Sequence, residues 1–566
     1  MKRRTRWILA ILILLLLPVF RIGCIMLGSG RQTITVSRET TYLTEPLRSD
    51  GSVDYYAVLN RIGSEGVTPE NNASVRFWEA IGPKAIPEPI RAEFFKLLGI
   101  PPLPDAGDYL VTSGELSHRL WVDWEKSRTT GHVPPEDQPE SEESVTGDEI
   151  DAQRNPADEI LWAGTTRPWS RKEFPLLAEW LDRNEKPLAL ALEGTRRPRR
   201  YEPLCRMYKV NERNELLIDP VSPGRYQGFE FESVLQIRAM QRLGVNRSEE
   251  AWNDLLSCHR LARLVCRGAF MDDVLAGIAI DREACAGDFA VLQHATLGAE
   301  QIAKMRADLD GLPPMPKLAD TIETERLAYL DIVAYRAKKG LPVFGKLRGD
   351  SCSDAGRSPS ESQWQWIGCV ADPMVDWNIV LRDGNAWYDR LAGALHKPTR
   401  TARNEALKIV EEDLLSRVKS IPSWSNALKS MISRKAASES VSQILLCLQA
   451  PCFSSSIHVE DPCAMTFELD KLAFALAAYR AEQGSYPEKL DSLMPKYVAK
   501  LPVDIFNNDA DLHYRREGNG YVLYSVGINE RDDGDKTCEE NTEGEGWDDI
   551  AVRMPATEKP ESPPVP

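Results

Sequence analysis

Asn246-Arg247-Ser248-Glu249-Glu250-Ala251-Trp252-Asn253-Asp254-Leu255-Leu256-Ser257-Cys258-His259 is the stretch whose periodicity decides the fold. Trp252, Leu255, Leu256 and His259 fall at i, i+3, i+4 and i+7, one face of an α-helix, and Asn246 with Glu249 has the spacing of a capping box at its start. The same rhythm recurs on either side and predicts helices over 231–243, 248–266, 270–293, 299–309, 318–338, 373–395 and 402–418. Connections as short as Leu243 to Ser248 favour antiparallel hairpins, the unit of bundles and α-solenoids. A fixed repeat of ~34 or ~40 residues is not found. The expectation is a helical domain over 159–446, built of hairpins and open to a solenoid arrangement.

The chain has 566 residues, more than one hydrophobic core can organise, and its 42% apolar and 27% charged content is that of a globular body. A formal net charge of -16, with no basic stripe interleaved with aromatics, sets nucleic acid aside as a partner.

At the start, Lys2, Arg3, Arg4 and Arg6 precede an apolar run over 7–20 that resumes after Arg21 as 22–28. Residues 7–28 are long enough to cross a bilayer if Arg21 snorkels from the far end, and the basic cluster then stays cytoplasmic. A cleaved signal peptide with 7–20 as its core, or a lipoprotein signal at Ile22-Gly23-Cys24, are the other readings. All three export the rest of the chain. The expectation is a single-pass membrane protein with a stub and anchor over 1–30 and its bulk periplasmic or extracellular.

Residues 31–122 read as a membrane-proximal α/β unit: a β-rich stretch over 33–47, a helix over 53–62, and a second helix through Trp78 and Ile81 with Thr68 as cap and Pro69 first. The Gly66 to Ala73 stretch resembles stretches in membrane-anchored bacterial proteins, a likeness that implies no activity. Residues 123–158 turn to Glu, Asp, Pro and Ser and read as an acidic linker, with a cation-binding arm as the functional alternative.

Eleven cysteines include no C-x-x-C pair. Export permits bridges, of which Cys352 with Cys369, and two among Cys447, Cys452 and Cys463, are expected from their loop-like surroundings. Cys258, Cys266 and Cys285 fall in helical patterns as buried thiols.

Motifs for an enzyme are missing: H-E-x-x-H, G-x-S-x-G, a Walker loop and a strand-borne G-x-G-x-x-G do not occur. His259 and His294 with Glu323 and Glu325 make the best metal cluster, against ordinary hydrogen-bonded histidines. Trp364, Trp366, Trp377 and Trp387 offer a glycan or peptide groove, against plain packing.

The C-terminal region, 447–556, has its own pattern. Asp461-Pro462 reads as a helix start, Leu469, Leu472, Ala473, Leu476 and Tyr479 stripe one face, and Gly484 stops the helix. A short helix near 490–494 and two strands, 512–516 and 521–526, follow, the strands joined by Gly518-Asn519-Gly520 with the positive φ assigned to Asn-Gly. Residues 557–566 are a proline-rich tail expected to be disordered.

The series Leu476-Ala477-Ala478-Tyr479-Arg480, Gly484-Ser485-Tyr486-Pro487, Leu501-Pro502-Val503-Asp504, Tyr521 to Gly527 and Asp548-Asp549-Ile550 resembles the C-terminal head of the type II secretion major pseudopilin. The resemblance implies an α+β head with a loop that binds Ca2+ through oxygen ligands. Asn529 stands in place of a family aspartate, Asp549 matches the one before the final isoleucine, Ser525 and Val526 offer main-chain oxygens, and Asp532 and Asp533 lie in the intervening acidic run. That run is longer than the family pattern, and Cys538 interrupts it. The chain also lacks a glutamate early in its first apolar run, and residues 31–446 separate head from anchor, so a filament subunit is not expected. The expected function is a membrane-anchored binding or structural component of an envelope or secretion-related assembly with protein partners there. The alternative is an extracytoplasmic hydrolase or carbohydrate-active enzyme with its site in the helical domain.

Overall fold

The computed structural model describes residues 33–129, 156–206, 223–339, 375–420, 429, 433–449, 453–540 and 545–555. Sixteen α-helices lie among them: α1 (Tyr55–Gly63), α2 (Ala73–Ile81), α3 (Glu88–Leu98), α4 (Ser113–Thr129), α5 (Pro156–Thr166), α6 (Pro175–Arg183), α7 (Glu185–Thr195), α8 (Pro223–Gly244), α9 (Ser248–Val265), α10 (Met271–His294), α11 (Ala299–Asp310), α12 (Ile322–Lys339), α13 (Trp377–Leu395), α14 (Arg400–Ser420), α15 (Arg434–Gln449) and α16 (Phe453–Gln483). Five short strands close the chain: β1 (Val503–Asp504), β2 (Ala510–Asp511), β3 (His513–Glu517), β4 (Gly520–Ser525) and β5 (Ile550–Met554). The molecule is mainly helical with a small C-terminal sheet. Among the described residues no helix is long and apolar enough to cross a membrane, and the expected anchor lies outside them.

Every helix predicted between 231 and 418 is present, but the starts are decided by local chemistry that spacing alone misread. At α9 Arg247 takes the cap position and pairs its guanidinium with Glu250, while Asn246 makes the preceding turn at φ 60, so no capping box joins Asn246 to Glu249. At α2 the cap is Asn72, whose Oδ1 accepts from Ser74 N at 3.1 Å, and Thr68-Pro69 belongs to the turn before it. Within 33–47 the β-rich stretch forms no strand, only the isolated bridge Leu47 to Val53 at its end, so the 31–122 unit is helical. The acidic linker is shorter than composition suggested, since α4 runs to Thr129 and α5 begins at Pro156; residues 130–155 lie outside the described set.

The largest correction concerns α16. Asp461-Pro462 is not its start: the helix begins at Phe453 and carries Pro462 in its interior. Phe453 and Ile457 in the added turns are buried in one core with Trp377, Leu381, Leu391 and Leu445, and Asp461 pairs with Arg403 and Arg400 of α14. Past Pro462, Leu469, Leu472, Phe474 and Leu476 enter a second core with Trp252, Leu256 and Ile280 of the helical body and Tyr521, Leu523 and Val552 of the sheet. The boundary expected between 446 and 447 therefore does not separate two cores: α16 belongs to both. α10 does the same, with Val274 and Ile278 in the first and Ile280, Ala284 and Val291 in the second. Burying each such side chain contributes about 1.5–3 kcal/mol, so two helices shared between cores tie the body and the sheet together strongly.

In the sheet, β4 lies between β3 and β5, antiparallel to both, with Tyr514 opposite Leu523 and Tyr521 opposite Met554. The β3–β4 turn has Gly518 and Asn519 as its central residues, because Glu517 pairs with Gly520. The positive φ, 56°, is at Gly518 rather than at Asn519, which places glycine first in the turn.

α8, α9 and α10 pack on one another in sequence, and α16 packs on α10. The approach of α9 to α10 requires glycine: a Cβ on Gly277 would stand 2.5 Å from Ala262 O, and one on Gly287 2.4 Å from Leu255 Cδ2. This closeness sets the polar face of α10 directly against His259.

Candidate functional site

Three polar arrangements stand out. The first is the acidic loop after β4. Asn529 Nδ2 donates to Asp533 Oδ2 at 2.7 Å and to Gly546 O at 2.8 Å, and its backbone N–H donates to Asp548 Oδ2 at 2.9 Å. Asp549 accepts from the N–H groups of Asp533 (3.3 Å) and Asp535 (2.8 Å), and Asp532 from Tyr524 Oη (3.0 Å) and Gly534 N (2.9 Å). Three expected residues, Asn529, Asp533 and Asp549, thus share one network, and Asp532 lies beside it, held by Tyr524 and Gly534. Ser525 and Val526 are buried, and the Ser525 hydroxyl and Val526 N–H both go to Asp504, at 2.7 and 2.9 Å. Asp535 and Asp548 were not foreseen. Burial, only partly relieved by the two N–H donors and reinforced by the charges of Asp533 and Asp532, pushes the Asp549 carboxyl up to about 6.

The second lies where α9, α10 and α16 meet. His259 is fully buried, its Nδ1 2.6 Å from Asp281 Oδ1 and its Nε2 3.2 Å from Asp288 Oδ2. Asp281 also accepts from Arg263 Nη1 at 2.7 Å. Burial alone would lower the imidazole pKa, but the two carboxylates outweigh it and raise it to about 10. Asp470 of α16 faces Asp288, and burial followed by that charge raises it well above the carboxylate range. Cys285, one turn from both acids on α10, is driven well up by burial and by Asp470. Among the described residues, His259, Cys285 and Asp470 are the group whose ligand atoms come within 4.8 Å of one another. His259 was expected to meet His294, Glu323 and Glu325. Instead His294 is exposed at the end of α10, Glu325 accepts from Met271 N at 2.8 Å, and Glu323 pairs with Arg326.

The third is an open recess of about 380 Å³ lined by Arg196, Arg197, Arg260, Arg263 and Arg267 together with Asp308 and Pro313. Arg263 Nε and Arg267 Nη1 are held by the carbonyls of Pro313 and Pro198, and Arg197 Nη1 by those of Pro69 and Asn72. Arg260 feels the charges of Arg196 and Asp308; burial first, and then Arg196, lower its affinity for its proton. An anion entering here relieves that repulsion. Sequence reasoning passed over this recess, although Arg260, Arg263 and Arg267 stand at i, i+3 and i+7 along one helix face.

Of the tryptophans, Trp377 and Trp387 are buried, Trp387 edge-on to Tyr388 at 5.0 Å, so both are packing residues; Trp364 and Trp366 lie outside the described residues. Cys258, Cys266 and Cys285 are buried thiols within or at the end of helices, as expected. Cys463 is also a free thiol, so neither pairing that includes it is formed, while Cys352, Cys369 and Cys452 lie outside the described residues.

No family model, curated protein or solved structure matches the chain. Function is read from site geometry alone.

Proposed function

We propose that the chain is a membrane-anchored, extracytoplasmic binding component of an envelope or secretion-related assembly, and that its helical body takes up an anionic group in the arginine-lined recess. The observation that carries this reading is the recess itself: five guanidinium groups around about 380 Å³ in a chain of net charge -16. Guanidinium forks match phosphate and carboxylate oxygens, and a cluster of them concentrates small anions that the rest of this surface repels. The N-terminal basic-then-apolar pattern supports anchoring and export. The order of α16, Gly484, Tyr486-Pro487 and the three-stranded sheet supports a pseudopilin-like head reused for assembly with protein partners. The acidic loop supports Ca2+ at Asn529, Asp532, Asp533 and Asp549, where a cation would replace backbone N–H groups as the partner of the carboxylates. A hydrolase site at His259 is not favoured, because His259 has no exposed surface.

The test is calorimetric titration of the full-length chain with inorganic pyrophosphate, in low and high salt, beside R196Q and R260Q. Salt-sensitive binding weakened at least about tenfold in each variant, a loss of ~1.4 kcal/mol, supports the reading. Absence of binding, or binding indifferent to both variants, ends it. A parallel Ca2+ titration with D549N examines the loop separately, with binding lost in the variant as the expected result.

A further inference from the structure

We propose that His259, Cys285 and Asp470 form a site for one divalent metal ion, with Asp288 drawn in from beside them as the fourth, tetrahedral ligand and Zn2+ the ion their chemistry fits best. The donors come from three helices that are distant in sequence, α9, α10 and α16, and all are buried. The ligand atoms of His259, Cys285 and Asp470 lie within 4.8 Å of one another, and His259 Nε2 is 3.2 Å from Asp288 Oδ2. Donors bound at 2.0–2.3 Å in a tetrahedron stand about 3.3–3.8 Å apart, so binding would draw the three donors together by up to about 1–1.5 Å and bring Asp288 in with them.

The protein leaves part of this cluster unanswered. Neither oxygen of Asp470 meets an N–H or hydroxyl donor, nor does Oδ1 of Asp288; the two carboxyls have each other, and without a metal they are joined only by a shared proton. The wall beside them is aromatic, with the Phe467 ring 5.7 Å from His259. Carboxyl oxygens buried without donors are costly, and a bound cation supplies the missing partner to both acids at once.

The surroundings already have the form of a metal centre. Asp281 accepts from His259 Nδ1 at 2.6 Å and is steadied by Arg263 at 2.7 Å. That bond fixes the ring with Nε2 turned toward Asp288, where a metal ion would take the place of the Nε2 proton, the carboxylate–histidine arrangement that orients metal-bound imidazoles. Asp281, Cys285 and Asp288 recur at i, i+4 and i+7, so one face of α10 supplies the orienting carboxylate and two ligands. A thiolate with an imidazole disfavours Ca2+ and Mg2+, and four enclosed protein donors suit a closed structural Zn2+ site. The ion would clamp α16, and with it the sheet, onto α9 and α10.

The experiment uses the full-length chain free of any affinity tag. Metal content is measured by mass spectrometry after equilibration with Zn2+ and removal of excess, thermal unfolding is followed with and without chelator, and Co2+ is substituted for its thiolate charge-transfer absorption. One equivalent of Zn2+, a higher melting temperature with metal, and a Co2+–thiolate band abolished in C285S and weakened in D470N are the expected results. Less than stoichiometric Zn2+ in the wild type overturns the proposal, as does a Co2+ band that survives C285S, which would assign it to another thiol. The wild-type stoichiometry and spectrum remain decisive if a variant fails to fold.

Discussion

Asp254 and Asp470 sit in the same helical body with no exposed surface, yet they are furnished in opposite ways. Asp254 of α9 receives Arg238 Nε at 3.0 Å and Nη2 at 2.6 Å, and Arg242 Nη1 as well. It is a cross-link: one carboxylate holds two guanidinium groups of α8 and ties α8 to α9. Asp470 meets no N–H or hydroxyl donor, and the group it faces is another carboxylate, with which it can only share a proton. Burial raises both carboxyls, but two guanidinium groups oppose the rise at Asp254, whereas Asp288 adds to it at Asp470. Burial therefore does not define what a carboxylate does; the partner does. One is complete as a structural pair, while the other is complete only with a proton or a metal ion.

The difference can be broken most forcefully at Asp254. Replacing it by alanine strands two arginines in the interior, and the expected loss is about 3–5 kcal/mol. Differential scanning calorimetry of D254A should show a fall of about 2–4 °C for each kcal/mol; a loss below ~1 kcal/mol would remove the contrast. Glu232 of α8 sharpens it from the side of pH. Burial, and then Glu283, push its carboxyl up to about 8, whereas in the unfolded chain it titrates near ~4.3. Between those values the folded state holds a proton that the unfolded state has released, so stability falls as pH rises through that window and levels off above it. E232Q should melt higher than wild type at pH 8 by a few degrees and no higher near pH 4, with the slope between flattened. An unchanged slope would show that Glu232 finds a partner that keeps it charged. The smallest effect is expected at Asp470: without metal, D470N exchanges a neutral acid for a neutral amide and should shift stability by no more than ~1 kcal/mol. A collapse comparable to that of D254A would make Asp470 a structural residue of the same kind.

The helical body was legible because its core-facing residues keep a 3.6-residue rhythm over long stretches. Trp252, Leu255 and Leu256 are all buried, as their spacing required. The start of α16 was not, because Asp-Pro is a good opening pair locally and only the burial of Phe453 and Ile457 in a core formed by α13 and α15 carries the helix back past it. Tertiary packing prevailed over a local signal. The same holds for the buried centre. His259 was visible on an apolar face, but its partners lie on other helices, and pairings between distant segments leave no trace in local periodicity. What the sequence did carry was the polar face of Asp281, Cys285 and Asp288 at i, i+4 and i+7 on a mainly apolar helix. In the acidic loop, Asn529, Asp533 and Asp549 are joined by hydrogen bonds with Asp532 next to them in the chain, and the Ser525 hydroxyl and Val526 N–H, which spacing did not address, go to Asp504.

α16 is one helix of 31 residues, about 46 Å measured along its axis, with Pro462 in its interior. Its first turns are embedded beside α13 and α15, and its last turns lie under β4 and β5. Mechanically that makes it a spar. A load applied at the sheet is not absorbed by a slack tether but passed as bending and torque along a stiff beam into the far half of the molecule.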